Sequence, residues 1–251
     1  MKLAFSRPTS TIEEQEVLFK HYQAVGYDGL QLKHSQYAPY IGSPEIFLEA
    51  WGNPKGVASA LIAGGSLNEE NKEHLRKLFT FAEKAGSEII VFCHSLPRKD
   101  VTADDIRAYA GILSELGKEA EQKGVKLSLH QHYDNPVMYK EDIDVFFSSV
   151  KDDAVGLTVD TAHLVKSGIT DVADIIHTFH SVIDNFHLKD FADGDWKVLG
   201  KGDIDFQPIF QAIRDIGYNG WISADEESGD GIIEGLEECY RFMVGGLGVR
   251  E

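Results

Sequence analysis

The feature that most constrains this chain is a rhythm in which short apolar runs alternate with longer amphipathic stretches from end to end. Strand-like runs occupy Leu3–Ser6, Gly29–Lys33, Val57–Ile62, Glu88–His94, Val125–His130, Val155–Asp160, Asn185–Leu188 and Gly220–Asp225. Helical periodicity fills the intervals, for example Ile12–Val25, Asn68–Ala85, Ala103–Lys123 and Phe206–Ile216, and Gly26, Gly86, Gly124 and Gly217 stand where helices should close. Strands that alternate with helices at this spacing pair in parallel. Eight such units predict an α/β fold, a (β/α)8 TIM barrel forming one domain over residues 1–251. An open doubly wound sheet satisfies the alternation as well, but a chain of 251 residues is the ordinary length for one closed barrel, about 250.

Charge narrows the function classes. The net charge of −17 argues against a nucleic-acid partner, because a phosphate backbone needs a basic footprint. No apolar run reaches the length of a membrane span, and the opening MKLAFSRPTS lacks the core of a signal peptide. The two cysteines, Cys93 and Cys239, fall in different predicted elements, so a disulfide framework is not expected and a reducing, cytoplasmic location is. The sequence leaves a homo-oligomer open.

In a β/α barrel the chemistry sits at the C-terminal ends of the strands. Of ten histidines, His34, His94, His130, His132, His163 and His187 fall at or just past a predicted strand end. Alternation along each strand then separates inward from outward side chains. In Val155–Asp160 the large apolar residues are 155, 157 and 159, so Gly156, Thr158 and Asp160 face the barrel interior. The same parity turns inward Ser128, His130 and His132 on the fifth strand, and His187 and Lys189 on the seventh. On the eighth it selects Asp225, and Glu227 if the strand stays extended, but not Glu226.

Four neighbouring strands thus bring His130, Asp160, His187 and Asp225 to one mouth. Such a mixture of imidazole and carboxylate suits one divalent metal ion, and favours Mn²⁺, Zn²⁺ or Fe²⁺ over Mg²⁺, which prefers oxygen ligands and retained water. A metal-free Asp–His network would fill the same space.

These residues lie in motifs that resemble the xylose isomerase-like TIM barrel superfamily, whose branches include sugar isomerases and epimerases, inosose dehydratases and endonuclease IV. The motifs are Gly156-Leu157-Thr158-Val159-Asp160-Thr161-Ala162-His163 and Phe186-His187-Leu188-Lys189-Asp190, followed by Leu199-Gly200-Lys201-Gly202-Asp203-Ile204-Asp205-Phe206 and Gly217-Tyr218-Asn219-Gly220-Trp221-Ile222. Gly26-Tyr27-Asp28-Gly29-Leu30-Gln31-Leu32 fits the family's second strand. The resemblance implies metal ligation by Asp160 and His187, with His163 contacting substrate or supporting the site. It also exposes two departures: where the family carries glutamates on strands five and eight, this chain has His130 and Asp225. His130-Gln131-His132 resembles a His-x-His pattern of the inosose dehydratase-like branch, although the glutamate that follows there is replaced by Met138 or Val137, with Asp134 as a substitute oxygen ligand.

In the family's epimerase-type reaction a chelated ketone acidifies the neighbouring C–H, and two glutamates on opposite faces remove and return the proton. Without those glutamates, two-face epimerisation is less expected than enolisation followed by isomerisation or loss of water. The resemblance therefore implies a metal-dependent isomerase, epimerase or dehydratase of a small-molecule sugar or cyclitol, acting by proton abstraction α to a carbonyl. Catalytic candidates are His130, His132, His163, Lys189 and Glu227; Gln31 and His94 are candidates for substrate binding. Trp51, Phe92, Phe191 and Trp196 are candidates for an apolar wall. The competing readings are a non-catalytic carbohydrate-binding barrel with a degenerate metal site, and a nuclease, which the acidic balance disfavours.

Overall fold

Eight parallel strands close on themselves. In the computed structural model, which describes residues 1–52 and 56–249, they are β1 (Lys2–Ser6), β2 (Gly29–Leu32), β3 (Ala60–Gly65), β4 (Ile89–His94), β5 (Lys126–His130), β6 (Val155–Asp160), β7 (Ile183–Leu188) and, after a small hairpin, β10 (Trp221–Asp225). The barrel order is β1-β10-β7-β6-β5-β4-β3-β2, each strand pairing with its neighbours in parallel. The hairpin, β8 (Asp190–Ala192) with β9 (Asp195–Lys197), is antiparallel and stands apart from the barrel. The fold is a single-domain TIM barrel.

Helices pack outside. The long ones are α1 (Ile12–Val25), α4 (Glu69–Ala85), α5 (Ala103–Glu121) and α10 (Ile232–Leu247); the shorter α2 (His34–Tyr37), α3 (Pro44–Trp51), α6 (Lys140–Phe147), α7 (Thr161–Lys166), α8 (Val172–Phe179) and α9 (Phe206–Asp215) complete the ring. Their starts follow from the sequence: Thr11, Asn68, Thr102, Asp171 and Asp205 each accept a backbone N–H of the first turn, satisfying donors that have no helical partner. Among the described residues, no helix is long and apolar enough to cross a membrane.

The expected strand parity is visible in the packing. Leu3, Phe5, Leu157, Val159, Phe186, Leu188, Ile222 and Ala224 belong to the large core between strands and helices. Ala4, Ala60, Ile89, Val91 and Trp221, with Ile62, form a second apolar cluster inside the barrel. Above and beside it the interior turns polar, with Ser128, Thr158, Asn185 and Gln31 fully buried.

Two elements differ from the sequence expectation. The third strand starts at Ala60 rather than Val57 and runs on to Gly65. Val57 and Ala58 are buried but lie in a turn, because the Gly56 carbonyl accepts from Leu30 N–H and fixes that segment below the strand. The seventh strand begins two residues before the expected Asn185, and its pairing with β6 shifts by one residue after Leu157, so that Asp184 is the extra residue of a bulge.

Candidate active site

At the C-terminal mouth, β5 and β6 each end on one buried polar side chain, and β7 carries one at its penultimate position. His130 follows Leu129 at the end of β5, Asp160 closes β6, and His187 stands directly opposite Asp160 in the β6–β7 register. His130 Nε2 is 3.4 Å and His187 Nδ1 3.9 Å from the same atom, Asp160 Oδ2. One ligand atom from each residue falls within 4.8 Å of the others.

What makes this triad informative is how each side chain is held. Asp160 caps α7, its Oδ1 accepting the His163 backbone N–H at 2.9 Å, which leaves Oδ2 facing the histidines. His187 Nε2 lies 2.8 Å from Gln31 Oε1, an atom that can only accept, so that nitrogen carries the proton and Nδ1 presents a lone pair. His130 Nδ1 lies 3.1 Å from Cys93 Sγ, which leaves Nε2 to face Asp160. His130 Nε2, Asp160 Oδ2 and His187 Nδ1 are all buried and all lack a hydrogen-bond partner. Orphaned buried polar atoms are costly. Three of them lie close enough together that the group could hold a divalent cation, with Gln31 and Cys93 orienting the imidazoles from behind. Two nitrogens and one oxygen fit Zn²⁺, Mn²⁺ or Fe²⁺.

Burial lowers the pKa of His187 to about 3, so its imidazole is neutral and available. Burial also opposes charge on His130, but Cys93 and Asp160 outweigh it and carry its pKa up to about 10. The Asp160 carboxyl would be raised by burial; His163, His130 and Lys189 instead hold it well below the usual carboxylate range.

The triad opens into a cavity of about 310 Å³, lined among others by Lys33, His34, Cys93, His132, His163, Lys189, Asp225 and Glu227. His132 Nδ1 donates to the carbonyl of Tyr133 at 2.7 Å, and its ring lies 3.7 Å from that of His163. Burial and the neighbouring His130 lower the pKa of His132 to about 4. Burial lowers that of His163 to about 2. Trp196, carried by β9, packs edge-on to His163 at 5.0 Å and sits under the Lys189 ammonium.

The other sequence candidates fall elsewhere. Gln31 is buried beneath His187, not on the cavity wall, and pairs its amide with Asn185 at 2.8 and 3.1 Å. His94 faces α5: its ring is 4.5 Å from Tyr109, and Nδ1 accepts from Leu96 N–H. Asp134 sits in the exposed loop after β5, accepting from the Arg98 backbone N–H, and is not in the triad group. Asp225 lines the cavity, but both of its oxygens are engaged by lysines. Trp51 packs against Phe19 on α1, and Phe92 is in the core. Glu226 points away from the cavity and pairs with Arg7 at 2.5 Å.

Two residues of the site went unmarked in the sequence reading. Lys33 and Cys93 both follow the inward parity of their strands, in step with Gln31 and with Val91, and continuing the alternation to the strand ends would have marked them.

A family model described as a xylose isomerase-like TIM barrel matches residues 22–242. The chain belongs to that family. Within it, inosose dehydratase of Clostridium beijerinckii is 33% identical over 148 residues, 51% of this chain and 49% of that protein. The inosose dehydratase of Clostridium botulinum strain Alaska E43 is 29% identical over 205 residues, 69% and 68% of the two chains. The chain thus spans about half the length of the first of these curated relatives. Among solved structures, the IolI protein with a bound zinc atom superposes with a TM-score of 0.81 at 21% identity, covering 98% of each chain. At that identity the likeness shows the fold.

Proposed function

We propose that this barrel is a metal-dependent enzyme that removes water from an uncharged keto-cyclitol or keto-sugar by abstracting the proton α to the carbonyl. One observation carries the reading: three orphaned ligand atoms converge on the floor of a cavity whose wall presents a neutral imidazole, His132, with one nitrogen uncommitted. Dehydration is favoured over epimerisation by the inosose dehydratase relatives and by His130 standing at one of the family's glutamate positions. A volume of about 310 Å³ suits a ligand of six-carbon-ring size.

His130, Asp160 and His187 would hold the metal, which when bound supplies Lewis acidity toward a carbonyl. The protein's own part is proton transfer and charge placement. His132 donates its Nδ1 proton to Tyr133, so Nε2 is the basic atom. It takes the proton from the carbon α to the carbonyl; the C–O bond at the β carbon then breaks, and the same imidazolium returns that proton to the departing hydroxyl as water. Lys33 and Lys189 place two ammonium groups on the cavity wall, where negative charge on the substrate oxygen is stabilised.

The test is elimination of water from a keto-inositol by protein reconstituted with Mn²⁺, Co²⁺ or Zn²⁺, together with exchange of the α-hydrogen in D₂O. His132→Gln should lower kcat by about 10²–10⁴-fold while retaining metal. Absence of both elimination and exchange in folded, metal-loaded wild type with keto-cyclitols and keto-sugars would refute the proposal.

A further inference from the structure

Four charged side chains close one side of the cavity in a ring. Lys33 Nζ reaches Asp225 Oδ1 at 2.6 Å and Glu227 Oε1 at 2.7 Å. Lys189 Nζ reaches Asp225 Oδ2 at 3.1 Å and also pairs with Glu227 Oε2. Each ammonium bridges both carboxylates, and each carboxylate bridges both ammoniums. Asp225 is 4% and Lys189 2% exposed, so solvent offers little replacement for a lost partner, and breaking a buried pair strands a charge.

Asp225 occupies the strand-eight position from which a fourth metal ligand is expected. Its situation differs from that of the triad in kind. The triad contributes three orphaned atoms; Asp225 has none, since each oxygen already accepts from a lysine. Among the described residues, the group with ligand atoms near enough to share an ion is His130, Asp160 and His187, without Asp225. Turning Asp225 onto a metal would remove a bond from both lysines at once and leave the buried Lys189 with only part of its compensation.

We infer that the metal centre has three protein ligands, and that Asp225 is a positioning residue which, with Glu227, fixes the Lys33 and Lys189 ammoniums at the cavity wall. The inference rests on the metal-enzyme reading above. Two histidines and one carboxylate leave more of the coordination shell to substrate and water than four side chains would. The ring carries no formal net charge, so the lysines act as fixed hydrogen-bond donors to an uncharged substrate and not as a phosphate trap.

Cobalt(II) titrated into metal-stripped, untagged, full-length protein separates the possibilities, read by ligand-field absorption and by competition with a chelator. Asp225→Asn should bind cobalt within about tenfold of wild type, with unshifted absorption bands, while kcat falls at least tenfold. Asp160→Asn and His187→Ala should each lose cobalt affinity by more than a hundredfold. Loss of cobalt by Asp225→Asn on the scale of Asp160→Asn, or a shift of its bands, overturns the inference and leaves the metal centre standing. Failure of wild type to bind cobalt, zinc or manganese overturns both. If Asp225→Asn does not fold, a crystal structure of zinc-loaded wild type decides. Asp225 still on Lys33 and Lys189 supports the inference, and an Asp225 oxygen within about 2.2 Å of zinc overturns it.

Discussion

His187 shows how much of this site is set one residue behind the surface. Its unpartnered nitrogen is defined by Gln31, whose carbonyl oxygen accepts the N–H of the opposite nitrogen and is itself locked by the Asn185 amide. Gln31→Leu keeps the volume and removes the acceptor, so the ring is free to turn or to change tautomer. Partners of this kind are typically worth 10–100-fold in metal affinity, and a chelator competition assay with zinc should show a loss in that range. Unchanged affinity would mean that packing alone orients His187. A half-buried polar group, Asp184, makes a prediction about stability. Burial raises the pKa of Asp184 to about 6, against the weaker opposing effects of Ser128 and Lys126. Between about pH 4 and 6 the unfolded chain has released a proton that the fold retains, so this group's contribution to stability falls as pH rises through that window. Asp184→Asn removes the penalty and keeps an acceptor for Ser128. It should stabilise the protein by about 1–2 kcal/mol at pH 7.5, discounted because the side chain is only partly shielded, and by roughly nothing at pH 4. Urea melts at the two pH values provide the check; a gain independent of pH would point to packing instead.

The two elements that complete the mouth were the least legible in the sequence. The bulge in β7 decides the His130–Asp160–His187 triad: without the extra Asp184, Asp160 would stand opposite Phe186 instead of His187. Parity along one strand finds inward residues but not which residues of two strands face each other, and a one-residue shift in pairing needs a tertiary partner to become visible. The β8–β9 hairpin escaped for another reason: three-residue strands are too short for any periodicity to emerge. A single carboxylate ties it to the loop that follows. Asp190, fully buried, accepts the backbone N–H groups of Phe191, Gly200, Gly202 and Ile204 at 2.8–3.3 Å. Gly202 passes so close that a Cβ there would lie 2.3 Å from Asp190 Oδ1. Asp190→Ala removes the acceptor common to four donors, a loss of about 3 kcal/mol by the usual worth of hydrogen bonds to a charged group. Hydrogen exchange should accelerate over residues 190–204 while the barrel strands stay protected. Equal acceleration of β4 and β5 would show that the segment is not an independent unit. By contrast, the four strand ends bearing His130, Asp160, His187 and Asp225 were readable because burial on the outer face imposes strict alternation there. What alternation could not supply was the partner of each charge, and so Lys33, which pairs with Asp225, went unnoticed.

At the scale of the molecule, folding and ligand binding converge on the same strands. β5, β6 and β7 are consecutive neighbours in the closed barrel, and near their C-terminal ends they carry three unpartnered polar atoms that the unfolded chain does not hold together. A metal that binds the folded state and not the unfolded one therefore stabilises the whole barrel by mass action, about 4 kcal/mol at a free concentration a thousand times the dissociation constant. For a domain of this size each kilocalorie moves the midpoint by about 2–4 °C, so saturating zinc should raise the melting temperature of stripped protein by roughly 8–16 °C. Asp160→Asn should melt at the same temperature with and without zinc. The net charge of −17 adds a kinetic side to this prediction. A strongly acidic net charge concentrates cations around the molecule, so the rate of zinc uptake should fall as ionic strength rises, while the shift in melting temperature, if it is set by coordination in a buried site, changes far less. A zinc-induced shift equally large in Asp160→Asn would place the stabilising ion on the acidic surface and not in the barrel.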